Sequence, residues 1–361
     1  MESNMSFQLS ESLYPVDEVI GTFLQCLLTR ATLHECLMWL WELVYSIPDV
    51  GDGLICIYLQ FYARGYKTFG IYLTRKVAEY NLQKDPHILA DIVCNLRLLR
   101  PNNTAYLLNY YSITDNTPTS IYNRVSWMKS FPTNATGVLG SLRSKNLLNI
   151  GYYVSRSVET YGYEYTSDII KQYAASMNID LCNGIDSDYF TGNTLYLFSQ
   201  ICMLIDGAQT TPRIRYLKAP VDMTDDIQHI FLFSDSNLAA RRLYRTHTIL
   251  PPRIYDRTYI DNLDEVCSLY WSTYCFESVA WNTRFMTSGA SMNSDGTNIT
   301  WPNNSILELF RKKYNMDFNE LSTKMKDMSN HDIIVGEDPI DWYNSVMGNS
   351  LVSDMTTVTL I

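Results

Sequence analysis

With 361 residues, 46% apolar and only 18% charged, the chain has enough material for one large or two medium cores and should fold without disulfide staples. A formal charge of −10 and a pI near 5.0 exclude general nucleic-acid packaging, which needs a dense basic surface, and leave room only for a local basic patch. Tyr, at 27 copies, and frequent Asn make much of the surface uncharged polar or aromatic, which suits extensive contacts and which an AT-rich genome would produce equally well.

Taken in chain order, the first half reads as a run of amphipathic helices. Residues 15–30 form the first candidate. Thr32-Leu33-His34-Glu35 then has the hydroxyl-x-x-carboxylate spacing of a capping box, so a helix should begin there. Behind it, Leu33, Leu37, Leu40, Trp41 and Val44 share one stripe and Cys36, Leu43 and Ile47 another, which predicts a helix buried between neighbours. Pro48 and the Asp49-Val50-Gly51-Asp52-Gly53 turn should end it. Leu54 to Ala63 starts a new apolar run with Asp52 as a possible cap, and the short connection implies an antiparallel helical hairpin. Asp85-Pro86 supplies a cap and a first-turn proline for a helix carrying Ile88, Leu89, Ile92, Val93, Leu96 and Leu99, with Pro101 as its stop. Further helices are expected over 66–82, 117–130, 167–178 and 187–205. The fold class expected is mainly α: an irregular, solenoid-like stack of helical hairpins without a letter-for-letter repeat.

From Gly207 to Pro220 turn signals break the pattern, which places an expected boundary between a helical-hairpin domain, 1–206, and a mostly α region with loops and a flexible tail, 207–361. Ile230 to Phe233 fits a buried strand or a helical turn. Leu263 to Phe285 predicts one long aromatic helix, Gly289 to Asn304 an exposed loop, and Ser305 to Tyr314 a helix with Arg311-Lys312-Lys313 near its negative end. The tail after Met347 reads as extended or disordered. The longest apolar runs are too short for a bilayer span, and no secretion signal is legible, so a soluble chain is expected.

The candidate chemistry is thin. Cys26, Cys36, Cys56, Cys94, Cys182, Cys202, Cys267 and Cys275 include no C-x-x-C pair and read as small reduced core residues in a cytosolic setting. His34-Glu35 begins like a metalloprotease helix, but Met38 stands where the second imidazole is required, so Glu35 is read as a capping residue. Asp225, Asp226 and His229 could share a helical face as hard ligands, or simply form an acidic helix start. No phosphate loop and no nucleophile elbow appear. Catalytic residues, metal and cofactor are therefore expected to be none. The most suggestive grouping is Arg241, Arg242, Tyr244, Arg245, Arg253, Tyr255 and Arg257, with Arg213, Arg215 and Lys218 upstream. Arg pairs with phosphates and Tyr stacks on bases, whereas a partner chain or internal carboxylates would use the same residues.

The segment Leu37-Met38-Trp39-Leu40-Trp41-Glu42-Leu43-Val44-Tyr45-Ser46, followed by Ile57-Tyr58-Leu59-Gln60-Phe61-Tyr62, resembles an N-terminal pattern in uncharacterised proteins of nucleocytoplasmic large DNA viruses. The resemblance covers residues 30–110. It implies a viral origin and a helical N-terminal domain, and it carries no catalytic residues. Glu42, inside this buried helix, needs a partner and is expected to bond a Tyr or Arg of a neighbouring helix. The resulting expectation is a non-enzymatic structural or assembly protein acting through other viral proteins, in the host cytoplasmic factory or the virion. The alternative is a nucleic-acid-associated cofactor of viral transcription or replication that uses the Arg/Tyr segment.

Overall fold

A computed structural model describes residues 8–114, 118, 128, 130–179, 181, 190, 192–206, 215–232, 243–247, 249–251, 271–314, 334–335 and 338–348. The chain is mainly α, as its periodicity predicts, and follows the helical-hairpin plan. In chain order the helices begin with α1 (Val16–Thr29), α2 (Leu33–Ser46), α3 (Val50–Phe61), α4 (Lys67–Gln83) and α5 (Pro86–Leu96). They continue with α6 (Thr104–Ile113), α7 (Thr133–Ser144), α8 (Leu147–Tyr161), α9 (Tyr163–Ser176), α10 (Thr194–Asp206) and α11 (Val221–Leu232). Beyond these come β1 (Ile249–Leu250), α12 (Trp271–Glu277), α13 (Val279–Thr287), β2 (Ser291–Met292), β3 (Ile299–Thr300), α14 (Asn304–Tyr314), β4 (Ile334–Val335) and α15 (Pro339–Met347).

Local chemistry accounts for the helix ends. The Thr32 side chain accepts the Glu35 N–H at 3.2 Å, and Asp85 accepts the His87 N–H at 3.0 Å ahead of Pro86. Arg30 closes α1 in the left-handed region, with φ 57°, and its N–H returns to the Leu27 carbonyl. Several expectations are corrected. Of the turn predicted at 49–53, residues 50–53 are instead the first turn of α3, so Asp52 lies inside the helix. Gly51 serves there as a point of close approach, since a Cβ would meet Val77 Cγ1 at 2.8 Å. The expected single helix from Leu263 is broken at Ser278, whose extended backbone (ψ 145°) separates α12 from α13. The expected loop at 289–304 contains the antiparallel β2–β3 hairpin. Residues 230–232 are the end of α11 and not a strand. Most of the helix predicted at 117–130 and the tail from 349 lie outside the described residues.

The chain divides into two compact units: residues 1–50, 85–97 and 217–342 in one, and 51–84, 98–216 and 343–361 in the other. In the second unit α6, α7, α8, α9 and α10 close over an aliphatic core that includes Leu108, Val138, Ile150, Val154, Ile170, Leu197 and Ile201. Gly151 lets α8 lie against α6, for a Cβ there would meet the Leu108 carbonyl oxygen at 2.6 Å. In the first unit α1 pairs with α2, and α2 packs on α5 and α11. A separate cluster of Leu9, Leu13, Cys275, Phe276, Trp281, Phe285, Ala290 and Phe310 joins the start of the described chain to α12, α13 and α14. Among the described residues no helix is long and apolar enough to cross a membrane.

Candidate functional site

The first unit holds a cluster of three potential metal-ligating side chains, Cys26, Glu35 and His247. The short Arg30-Ala31-Thr32 turn folds the start of α2 back beside the end of α1, which brings Glu35 to Cys26. The third member comes from far along the chain. Residues 243–247 lie against this hairpin, held by four polar contacts. The Tyr14 hydroxyl donates to the Tyr244 carbonyl (2.7 Å), Tyr244 Oη meets His34 Nδ1 (2.9 Å), Thr246 Oγ1 donates to Glu18 (2.7 Å), and the His247 N–H donates to Thr22 Oγ1 (2.8 Å). His247 Nε2 is thereby set 3.9 Å from Cys26 Sγ, and ligand atoms of Cys26, Glu35 and His247 all lie within 4.8 Å of one another.

Cys26 is buried; Glu35 and His247 are half-buried. Burial pushes the Cys26 thiol well above its ordinary range, and the nearby Glu35 carboxylate and Cys36 push it the same way. Burial lowers His247, which Glu35 partly opposes. Cys36 is raised to about 12 by burial, against the nearby Arg97 guanidinium. Of the capping box, the Thr32 half forms: its side chain accepts the Glu35 N–H.

Glu42 is buried, as predicted, but its partner is neither Tyr nor Arg: one carboxylate oxygen accepts the Ser12 backbone N–H at 3.2 Å. Burial raises its carboxyl to about 7, with the hydrogen bonds from residues 10–12 opposing the rise. The neighbouring arginine is taken by Glu11: Arg284 approaches Glu11 at 2.7 Å while its guanidinium lies over Trp281 (4.6 Å) and Tyr314 (5.2 Å). Glu42 also lines a hollow with Tyr14, Met38, Trp39, Leu243 and Tyr244 that holds about 10 Å³, the scale of one water.

Asp225 is not gathered with Asp226 and His229 as a ligand set. It accepts from His87 Nε2 at 2.9 Å, while His87 Nδ1 faces Asp85 at 2.8 Å, forming a carboxylate–imidazole–carboxylate bridge between α5 and α11. Burial alone would lower His87, but the two carboxylates hold it above its ordinary value. Of the Arg/Tyr grouping, Tyr244 is used within the unit by ring and hydroxyl, its ring tilted against His34 at 5.9 Å, and Arg245 is exposed. Arg241, Arg242, Arg253, Tyr255 and Arg257 lie outside the described residues. Of the cysteines, Cys26, Cys36, Cys94, Cys202 and Cys275 are buried and Cys56 is half-buried.

The Cys26–Glu35–His247 cluster escaped the sequence reading because its third residue is separated from the first by 221 positions, and no local spacing encodes that contact. The Cys26–Glu35 half was accessible in principle, from the tight turn that joins α1 to α2. Comparison with protein-family profiles, curated proteins and solved structures finds no match for the chain.

Proposed function

We propose that the protein is a non-enzymatic scaffold of a large DNA virus that works through protein–protein contacts, in the particle or in the cytoplasmic factory. The observation that supports this best is the outer face of α13. Val279 (51% exposed) and Met286 (59%) stand two turns apart on one side of that helix, opposite Trp281 and Phe285, which anchor its buried side. Such a helix offers two exposed apolar side chains on a rigid support, the kind of anchor that helix-borne contact surfaces use. The buried carboxyl groups Glu11, Glu18 and Glu42 each accept a hydrogen bond or ion pair from within the protein, which suits a structural role for them. The viral setting rests on the resemblance of residues 30–110.

The test is incorporation into particles. Wild-type protein should be found in purified virions or with capsid assemblies from infected cells, and Val279→Glu combined with Met286→Glu should remove it while the isolated protein melts at an unchanged temperature. Wild-type protein absent from both fractions overturns the reading. Salt-sensitive binding of single-stranded RNA, abolished by Arg241→Glu, Arg242→Glu and Arg245→Glu together, replaces it with the nucleic-acid alternative.

A further inference from the structure

We infer that Cys26, Glu35 and His247 form a three-residue binding site for a divalent transition metal of the zinc class. The three donors are a thiol, a carboxylate and an imidazole, on the last turn of α1, the first turn of α2 and the segment laid across both. Their ligand atoms already lie within 4.8 Å of one another. Tetrahedral zinc, with bonds of about 2.3 Å to sulfur and about 2.0 Å to nitrogen, sets S···N near 3.5 Å. The 3.9 Å between Cys26 Sγ and His247 Nε2 thus needs only a few tenths of an ångström of closure.

Sulfur in the set selects against magnesium and calcium, which take oxygen cages, and favours Zn²⁺ or Co²⁺. On binding, Cys26 releases its proton to solvent; thiolate and carboxylate then balance the 2+ charge, leaving a site of no net charge. The imidazole is held at its backbone by the His247 N–H bond to Thr22, and the segment by Thr246 on Glu18, so the ligand is oriented before metal arrives. Three protein ligands leave a fourth position for water or an added ligand. The consequence is a clip that ties residues 243–247 to the α1–α2 hairpin.

Metal-stripped full-length protein is titrated with Co²⁺, with Zn²⁺ competition. Expected is one equivalent per chain, a near-ultraviolet thiolate-to-cobalt band that Zn²⁺ bleaches, and a higher melting temperature with Zn²⁺. His247→Ala and Glu35→Gln, both at half-buried positions, should each weaken binding at least tenfold while leaving the helical circular dichroism of the metal-free protein unchanged, and Cys26→Ser should remove the thiolate band. Absence of binding by wild type overturns the proposal. So does a band that survives Cys26→Ser, or affinity indifferent to His247→Ala. Scaffold activity is read separately, since particle incorporation depends on α13 and this titration does not.

Discussion

The two units solve the same problem, stacking short helices, by different physical means. In the second, α6 to α10 follow one another in sequence and meet through aliphatic side chains and close backbone approach, as at Gly151 against Leu108. In the first, segments more than a hundred residues apart are joined by directed polar contacts: Thr246 to Glu18, Asp225 to His87, Arg284 to Glu11, and Asn95, which both donates to and accepts from the backbone of Leu217 at 2.7 and 2.8 Å. Apolar packing tolerates many partners of similar volume, whereas a buried carboxylate accepts only a geometry that satisfies it. The first unit is therefore the one in which position along the chain says least about position in space, and the one that holds the Cys26–Glu35–His247 cluster.

That contrast predicts where substitutions should hurt. The largest effect should come from Arg284→Ala, which removes the ion-pair partner of buried Glu11 and the cation stacked on Trp281; about 3 kcal/mol of stability should be lost in urea unfolding. A loss below about 1 kcal/mol would mean that this polar junction is ornamental and that the aromatic packing around Trp281 alone holds α13.

Glu42 should follow, through pH. Its carboxyl titrates at about 7 when folded against 4.5 as the ordinary value, so the folded chain retains the proton that the unfolded chain has released. Stability should accordingly be greatest below pH 4.5 as far as this group is concerned, fall as pH rises toward 7, and level off above, by roughly 3 kcal/mol in all. Glu42→Gln should flatten the stability profile across that window. A parallel profile for variant and wild type would remove Glu42 as the cause.

Gly151→Ala tests the other unit. The added methyl must displace α8 from the Leu108 carbonyl, at a cost of about 1–3 kcal/mol by thermal melting, with the helical signal otherwise preserved. A neutral outcome would show that α6 and α8 can separate without loss and would weaken the contrast between shape-driven and polar assembly.

The smallest effect belongs to His87, whose side chain is about a third exposed. Held above its ordinary value by Asp85 and Asp225, it contributes stability that is complete below pH 6.5 and lost as pH rises through its folded value. With solvent screening the effect should stay under about 1 kcal/mol. Asp225→Asn should shrink this pH dependence, and an ¹H–¹⁵N titration of the His87 ring should move toward lower pH in that variant.

Residue order alone determined the helical class and many of the helix starts, because capping by Thr32 and Asp85 and the apolar stripes of α2 and α5 act within a few residues of backbone. It did not announce α7, rich in Thr, Asn, Gly and Ser, which is helical where Ala135, Val138, Leu139 and Leu142 find cores to fill. Nor could it show that Glu42 bonds the Ser12 backbone, or that His247 reaches Cys26. Those were decided by the tertiary structure, since a hydrogen bond or a metal-ligand set depends on distances of a few ångströms between groups whose separation along the chain carries no periodicity at all.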